Sequence, residues 1–129
     1  MKFGYTIVYV ADVRATLDFY QRAFGFATGF VTDDAQFGQL DTGDTALAFA
    51  RHDVASASLG GDYRPLNADA LPAGIEIGFT TDDVSAAFER AVNAGATALT
   101  APTLKPWGQT VAYLRAPEGT LVELCTPMG

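Results

Sequence analysis

Apolar and polar residues change their spacing several times along the chain, and they do so twice in the same order. Tyr5, Thr6, Ile7, Val8, Tyr9 and Val10 form a β-rich run. A two-residue period puts Thr6, Val8 and Val10 on one face of it and Tyr5, Ile7 and Tyr9 on the other. The period then lengthens: Val13, Leu17, Tyr20 and Phe24 share one helical face over 13–24, with Asp12 placed to cap the first turn and Gly25 just past the end. Short β candidates follow at 26–31, 36–41 and 45–50, the last two joined by a turn at Thr42-Gly43-Asp44. From residue 75 the pattern returns. It predicts a strand over 75–80, a cap at Asp83, a helix over 84–94 with apolar Val84, Ala87, Phe88, Ala91 and Val92, then Gly95. Strands are predicted at 97–100, 110–115 and 120–125, with Pro117-Glu118-Gly119 as the matching turn.

This is an internal repeat, and it decides the fold class. Tyr5 to Ala23 lies over Glu76 to Ala94, and the segment from Gly43 lies over the segment from Glu118. The prediction is an α+β protein of two tandem βαβββ units, unit 1 about 1–52 and unit 2 about 75–129, whose mixed sheets curve around a cleft. The stretch between them, about 53–74, is rich in Gly, Ala, Ser and Asp and reads as a connector or a lid. One helix per unit covers one sheet face and leaves the other open. In the second unit Ile75, Ile77, Phe79, Val122 and Leu124 must meet the helix, which leaves Glu76, Gly78, Thr80, Leu121, Glu123 and Cys125 on the open face.

Composition narrows the class further. The 129 residues, 49% hydrophobic and 18% charged, suit one folded domain with a real core. A formal net charge of −7, with eight scattered basic residues, disfavours nucleic acid and anionic membranes as partners. The single cysteine, Cys125, excludes an intrachain disulfide or a CxxC motif and reads as a small buried apolar residue. No apolar run reaches the length of a signal or membrane segment, so the expected location is cytoplasmic.

The first strand with its Asp-Val cap, Phe19-Tyr20 in the helix, and the stretch from Lys105-Pro106-Trp107-Gly108 to Ala116-Pro117-Glu118-Gly119 with Glu123 resemble the vicinal-oxygen-chelate superfamily. That is the glyoxalase, bleomycin-resistance and dioxygenase group, and the Pro-Trp-Gly and Pro-x-Gly…Glu signatures are most similar to bleomycin-resistance-type members. The resemblance implies four open-face metal-ligand positions, one in the first and one in the last strand of each unit. Here they fall on Tyr5, Ala48, Glu76 and Glu123, where a typical member carries His or Gln, Glu, His and Glu. Ala48 has no donor atom, and tyrosine is an uncommon ligand for the metals such enzymes use. No cofactor is therefore expected. The alternative is a divalent metal held weakly at Glu76 and Glu123 with waters and substrate oxygens.

Glu123 and Glu76 are the candidate catalytic residues, because two half-buried carboxyl groups perturb each other's ionisation and can divide acid and base roles. They are expected to face each other across the cleft. Tyr5, Tyr9, Trp107 and Tyr113 suit an aromatic wall for a planar ligand. His52 joins the open face if its strand extends that far, and Arg115 can neutralise a ligand carboxylate or form a rim salt bridge. The leading reading is a protein that binds a small aromatic or amphipathic molecule without metal, to sequester it or to transform it by acid/base chemistry. The alternative is a glyoxalase-type lyase, isomerase or dioxygenase that uses a metal at Glu76 and Glu123, and a third class is a non-catalytic interaction module. A twofold homodimer is expected.

Overall fold

Strand β1 (Tyr5–Val10) leads into helix α1 (Val13–Phe24) through Asp12, whose carboxylate accepts from the Ala15 amide at 3.0 Å. The side chain thus satisfies one of the amides that a helix start leaves unpaired. Gly25 ends the helix in the left-handed region (φ 80°), a conformation that costs a residue with a Cβ. Strands β2 (Thr28–Val31), β3 (Phe37–Leu40) and β4 (Ala46–Arg51) complete the first sheet, in the order β1-β4-β3-β2 with β1 parallel to β4. The computed structural model describes residues 1–128 and divides into two compact units, Met1–Pro65 and the remainder from Leu66.

The core of unit 1 lies between α1 and one sheet face. Val13, Leu17, Phe19, Tyr20 and Ala23 of the helix are buried with Val8, Val10, Leu40, Leu47 and Phe49 of the strands. The Tyr20 and Phe49 ring centroids lie 4.9 Å apart, and Phe19 and Phe24 extend the aromatic cluster.

Unit 2 repeats the plan with β5 (Glu76–Thr80), α3 (Val84–Asn93), β6 (Thr97–Leu104), β7 (Thr110–Arg115) and β8 (Leu121–Cys125), in the order β5-β8-β7-β6. Asp83 caps α3 by accepting from the Ala86 amide at 3.0 Å. The parallel registers also correspond. Tyr5 pairs with Ala46 and Ile7 with Ala48, just as Glu76 pairs with Leu121 and Gly78 with Glu123. The repeat read from sequence is therefore a repeat of strand register, and the architecture is an α+β fold in two halves.

Two features depart from the expectation. Helix α2 (His52–Leu59) occupies the first part of the predicted connector, and residues 66 onward belong to unit 2. Only Ala55 of α2 is buried, so no apolar stripe announces it. Arg51 pairs with Asp53 at 2.6 Å just at its start. Because β4 ends at Arg51, strand alternation does not carry through to His52. Strand β6 runs to Leu104 instead of residue 100, with register irregularities on either side of Thr100. It is an edge strand, where Pro102, lacking an N–H, is tolerated. Among the described residues no helix is long and apolar enough to cross a membrane.

Candidate functional site

Strands β5, β8 and β7 bring polar chemistry together on the open face of the second sheet. Gly78, Glu123 and Tyr113 form one row across three strands, with Glu76 one pleat away on β5 and Cys125 one pleat away on β8. A Cβ built on Gly78 would lie 3.8 Å from Oε2 of Glu123, so the Glu123 carboxyl leans across the bare glycine toward β5. There it approaches the Glu76 side chain, whose charge acts on it. A hydrogen bond between two carboxyl groups requires one of them to keep its proton.

Burial and next the Glu76 charge push the Glu123 carboxyl above the ordinary carboxylate range. Burial also raises the Tyr113 phenol and the Cys125 thiol, each reinforced by Glu123 and Glu76. Cys125 is buried and aims Sγ at the Phe79 carbonyl at 3.9 Å, so it is a packed thiol and not a thiolate nucleophile. The arrangement can present one protonated and one ionised carboxyl group side by side, a donor and an acceptor of protons. Glu76 and Glu123 are thus neighbours on adjacent strands of one sheet, not residues opposed across a cleft. Their closeness comes from the β5–β8 register.

Unit 1 places different groups at the corresponding positions. Tyr5 is exposed, Ala48 is 1% exposed, and Ile7 stands where unit 2 has Gly78. Tyr9 packs its ring against Tyr63, centroids 4.9 Å apart. The Tyr63 hydroxyl is hydrogen-bonded to Nδ1 of His52 and lies 3.3 Å from the His52 carbonyl oxygen. Tyr63 was not singled out from the sequence. It sits in an irregular stretch, Asp62-Tyr63-Arg64-Pro65, where no periodicity marks a facing residue.

The remaining expected residues lie elsewhere in unit 2. Trp107, exposed at the tip of the β6–β7 hairpin, donates Nε1–H to Gln109 at 2.8 Å, and Gln109 donates to the Thr126 carbonyl at 2.7 Å. Trp107 flanks a groove with Gly108, Gln109, Pro127 and Met128, apart from the carboxyl pair. Arg115 directs its guanidinium to three main-chain carbonyls, of Gly119, Ala70 and Asn67.

Among the described residues no three His, Cys, Asp or Glu side chains are grouped to hold a metal ion. The second sheet offers two carboxyl groups, with a phenol and a packed thiol beside them. This donor set does not fit a nickel, zinc or iron centre.

A family model described as Glyoxalase/Bleomycin resistance protein/Dioxygenase superfamily matches residues 2–124. An uncharacterized protein of Mycobacterium bovis is 30% identical over 121 residues, covering 85% of this chain and 73% of that protein. An uncharacterized protein of Mycobacterium tuberculosis has the same identity and coverage of this chain, but the match spans only 65% of its length. Among solved structures, a glyoxalase-related enzyme from Fulvimarina pelagi superposes with a TM-score of 0.85 at 20% identity, covering 100% of this chain and 93% of that one. A glyoxalase/bleomycin resistance protein/dioxygenase family enzyme from Burkholderia phytofirmans PsJN gives 0.78 at 22% identity, covering 99% and 100%. At such identities the structural matches speak to the fold alone.

Proposed function

From the premise that the chain belongs to the glyoxalase/bleomycin resistance protein/dioxygenase superfamily, we propose that the open face of its second sheet binds a small aromatic or amphipathic molecule. In this reading the carboxyl pair, without a tightly held metal, does the polar work. The supporting observation is the Glu123 carboxyl leaning over the bare Gly78 toward the strand that carries Glu76, beside Tyr113. A protonated Glu123 donates to an oxygen or nitrogen of the ligand, Glu76 accepts, and the Tyr113 ring supplies a flat apolar wall with a hydroxyl at its edge. Sequestration needs only these contacts, in the manner that the bleomycin-resistance-like signatures suggest. Acid/base conversion needs in addition that Glu123 pass its proton to the ligand and recover it.

The test is a fragment screen by amide chemical shifts, on wild type and Glu123→Gln, at several pH values. The expected result is a set of planar fragments that shift the Gly78, Tyr113 and Cys125 amides, with a pH profile that the substitution alters. Fragments that bind both proteins there with the same affinity and pH profile would overturn the reading. So would one equivalent of nickel, zinc or iron held through Glu123 in protein purified without chelator.

A twofold homodimer is part of the same proposal. β1 and β5 are sheet edges, and exposed Phe3, Tyr5 and Ile75 lie on or beside them. Sedimentation should give twice the chain mass at micromolar concentration, and a single species of 13.6 kDa counts against it.

A further inference from the structure

Arg115 closes β7 on the same sheet face as Tyr113. It pairs in register with Leu121, which pairs in turn with Glu76. It is only 6% exposed, and its guanidinium donates to Gly119 O at 3.0 Å, Ala70 O at 2.9 Å and Asn67 O at 2.9 Å. A guanidinium stays charged when buried, so its hydrogen bonds must be met there, and here three main-chain carbonyls meet them.

Two of those carbonyls belong to a tight turn at 67–70. The Ala70 amide donates to Asn67 O at 3.0 Å and the Asp69 amide to the Asn67 side chain at 2.9 Å. The third belongs to the β7–β8 turn. Gly119 stands there at φ 107°, and a Cβ on it would meet the Asn67 nitrogen at 3.0 Å and the Ala68 nitrogen at 3.1 Å. Residues 67–70 therefore form a strap that lies directly on the β7–β8 turn, held by charge-assisted bonds and admitted by a missing side chain. Beyond Ala70 the chain runs through Leu71 to Ile75 straight into Glu76. At the corresponding place in unit 1, two residues beyond Gln39 on β3, stands an exposed Asp41.

We infer that Arg115 is a positioning residue for Glu76. By tying residues 67–70 to the β7–β8 turn it fixes where the chain enters β5, and with it the approach of Glu76 to Glu123. The inference rests on the carboxyl pair being the working site, but its test uses no ligand, so failure of one does not mimic failure of the other.

The experiment compares wild type with Arg115→Met by hydrogen exchange and by side-chain carboxyl carbon resonances at one fixed pH. Exchange at the Asp69 and Ala70 amides should quicken at least tenfold while Ala91 in α3 stays within about twofold, and the Glu76 and Glu123 carboxyl resonances should both move. A general loss of stability would speed all amides together and leave the carboxyl resonances of the folded protein in place. Arg115→Lys and Gly119→Ala are scored by the same rule should the Met variant fail to fold. The first keeps the charge but cannot span three acceptors, and the second crowds the strap with Arg115 intact. Unmoved carboxyl resonances in any folded variant whose strap has loosened, or an unloosened strap, overturn the inference.

Discussion

In the first unit Ala48 is paired with Ile7, and in the second Glu123 is paired with Gly78. The backbone register is the same, but the bulk has moved from one strand to the other. Unit 1 pairs an isoleucine on β1 with an alanine on β4, whereas unit 2 leaves β5 bare and carries a carboxyl group on β8. The helix faces differ in the opposite sense. α1 buries six residues against its sheet, including Phe19 and Tyr20, while α3 buries only Val84 and Ala91. The two halves of one fold thus differ: unit 1 buries more of its helix, and unit 2 carries the carboxyl pair on its sheet. Even partial burial of a carboxyl group is costly, and in the second sheet Gly78 leaves room for that of Glu123.

The comparison can be broken most forcefully in the cores. Phe49→Ala should cost about 3–5 kcal/mol in denaturant unfolding, while Phe88→Ala, at a half-buried position of α3, should cost about 1–2 kcal/mol. Equal losses would contradict the asymmetry. Next in size, Ala48→Glu should cost about 3 kcal/mol at neutral pH, because it places an unpartnered carboxylate at a site 1% exposed. Adding Ile7→Gly recreates the bare strand of unit 2, and the double variant should be more stable than the two single losses imply. Strict additivity would show that the exchange of bulk is incidental. The caps, in contrast, should not distinguish the units: Asp12→Ala and Asp83→Ala should each cost about 1 kcal/mol.

The smallest effect carries the most specific sign. Folded Glu123 holds its proton more tightly than the unfolded chain does, since burial and Glu76 raise it. As pH rises the unfolded state loses that proton first. The stability tied to the protonated form is therefore complete below the unfolded carboxyl value and is lost as pH climbs through the raised folded one. Glu123→Gln should accordingly be more stable than wild type at neutral pH, with the gap closing as pH falls below the ordinary carboxylate range.

Most of the fold was legible because it is written in periodicities. β1, α1 and β7 match the predicted ranges, and both aspartate caps sit where local chemistry requires them. α2 was not legible, since a helix with one buried residue has no stripe to read. Alternation did place Glu76 and Glu123 on the open face. It could not give their side-by-side arrangement, which depends on the β5–β8 register and on the room at Gly78. Arg115 shows the limit most clearly. As a strand-end arginine it suggested a ligand carboxylate or a rim salt bridge, yet its three acceptors are main-chain carbonyls, which no sequence pattern reveals.

On the proposed reading, Glu123 and Glu76 form one proton-sharing unit on the second sheet. Titration of the Glu123 side-chain carboxyl carbon by NMR, in wild type and in Glu76→Gln, tests it most directly. The Glu123 midpoint should lie above the ordinary carboxylate range in wild type and fall toward that range once the Glu76 charge is gone. An ordinary midpoint in wild type, or a raised one that Glu76→Gln leaves in place, would contradict it.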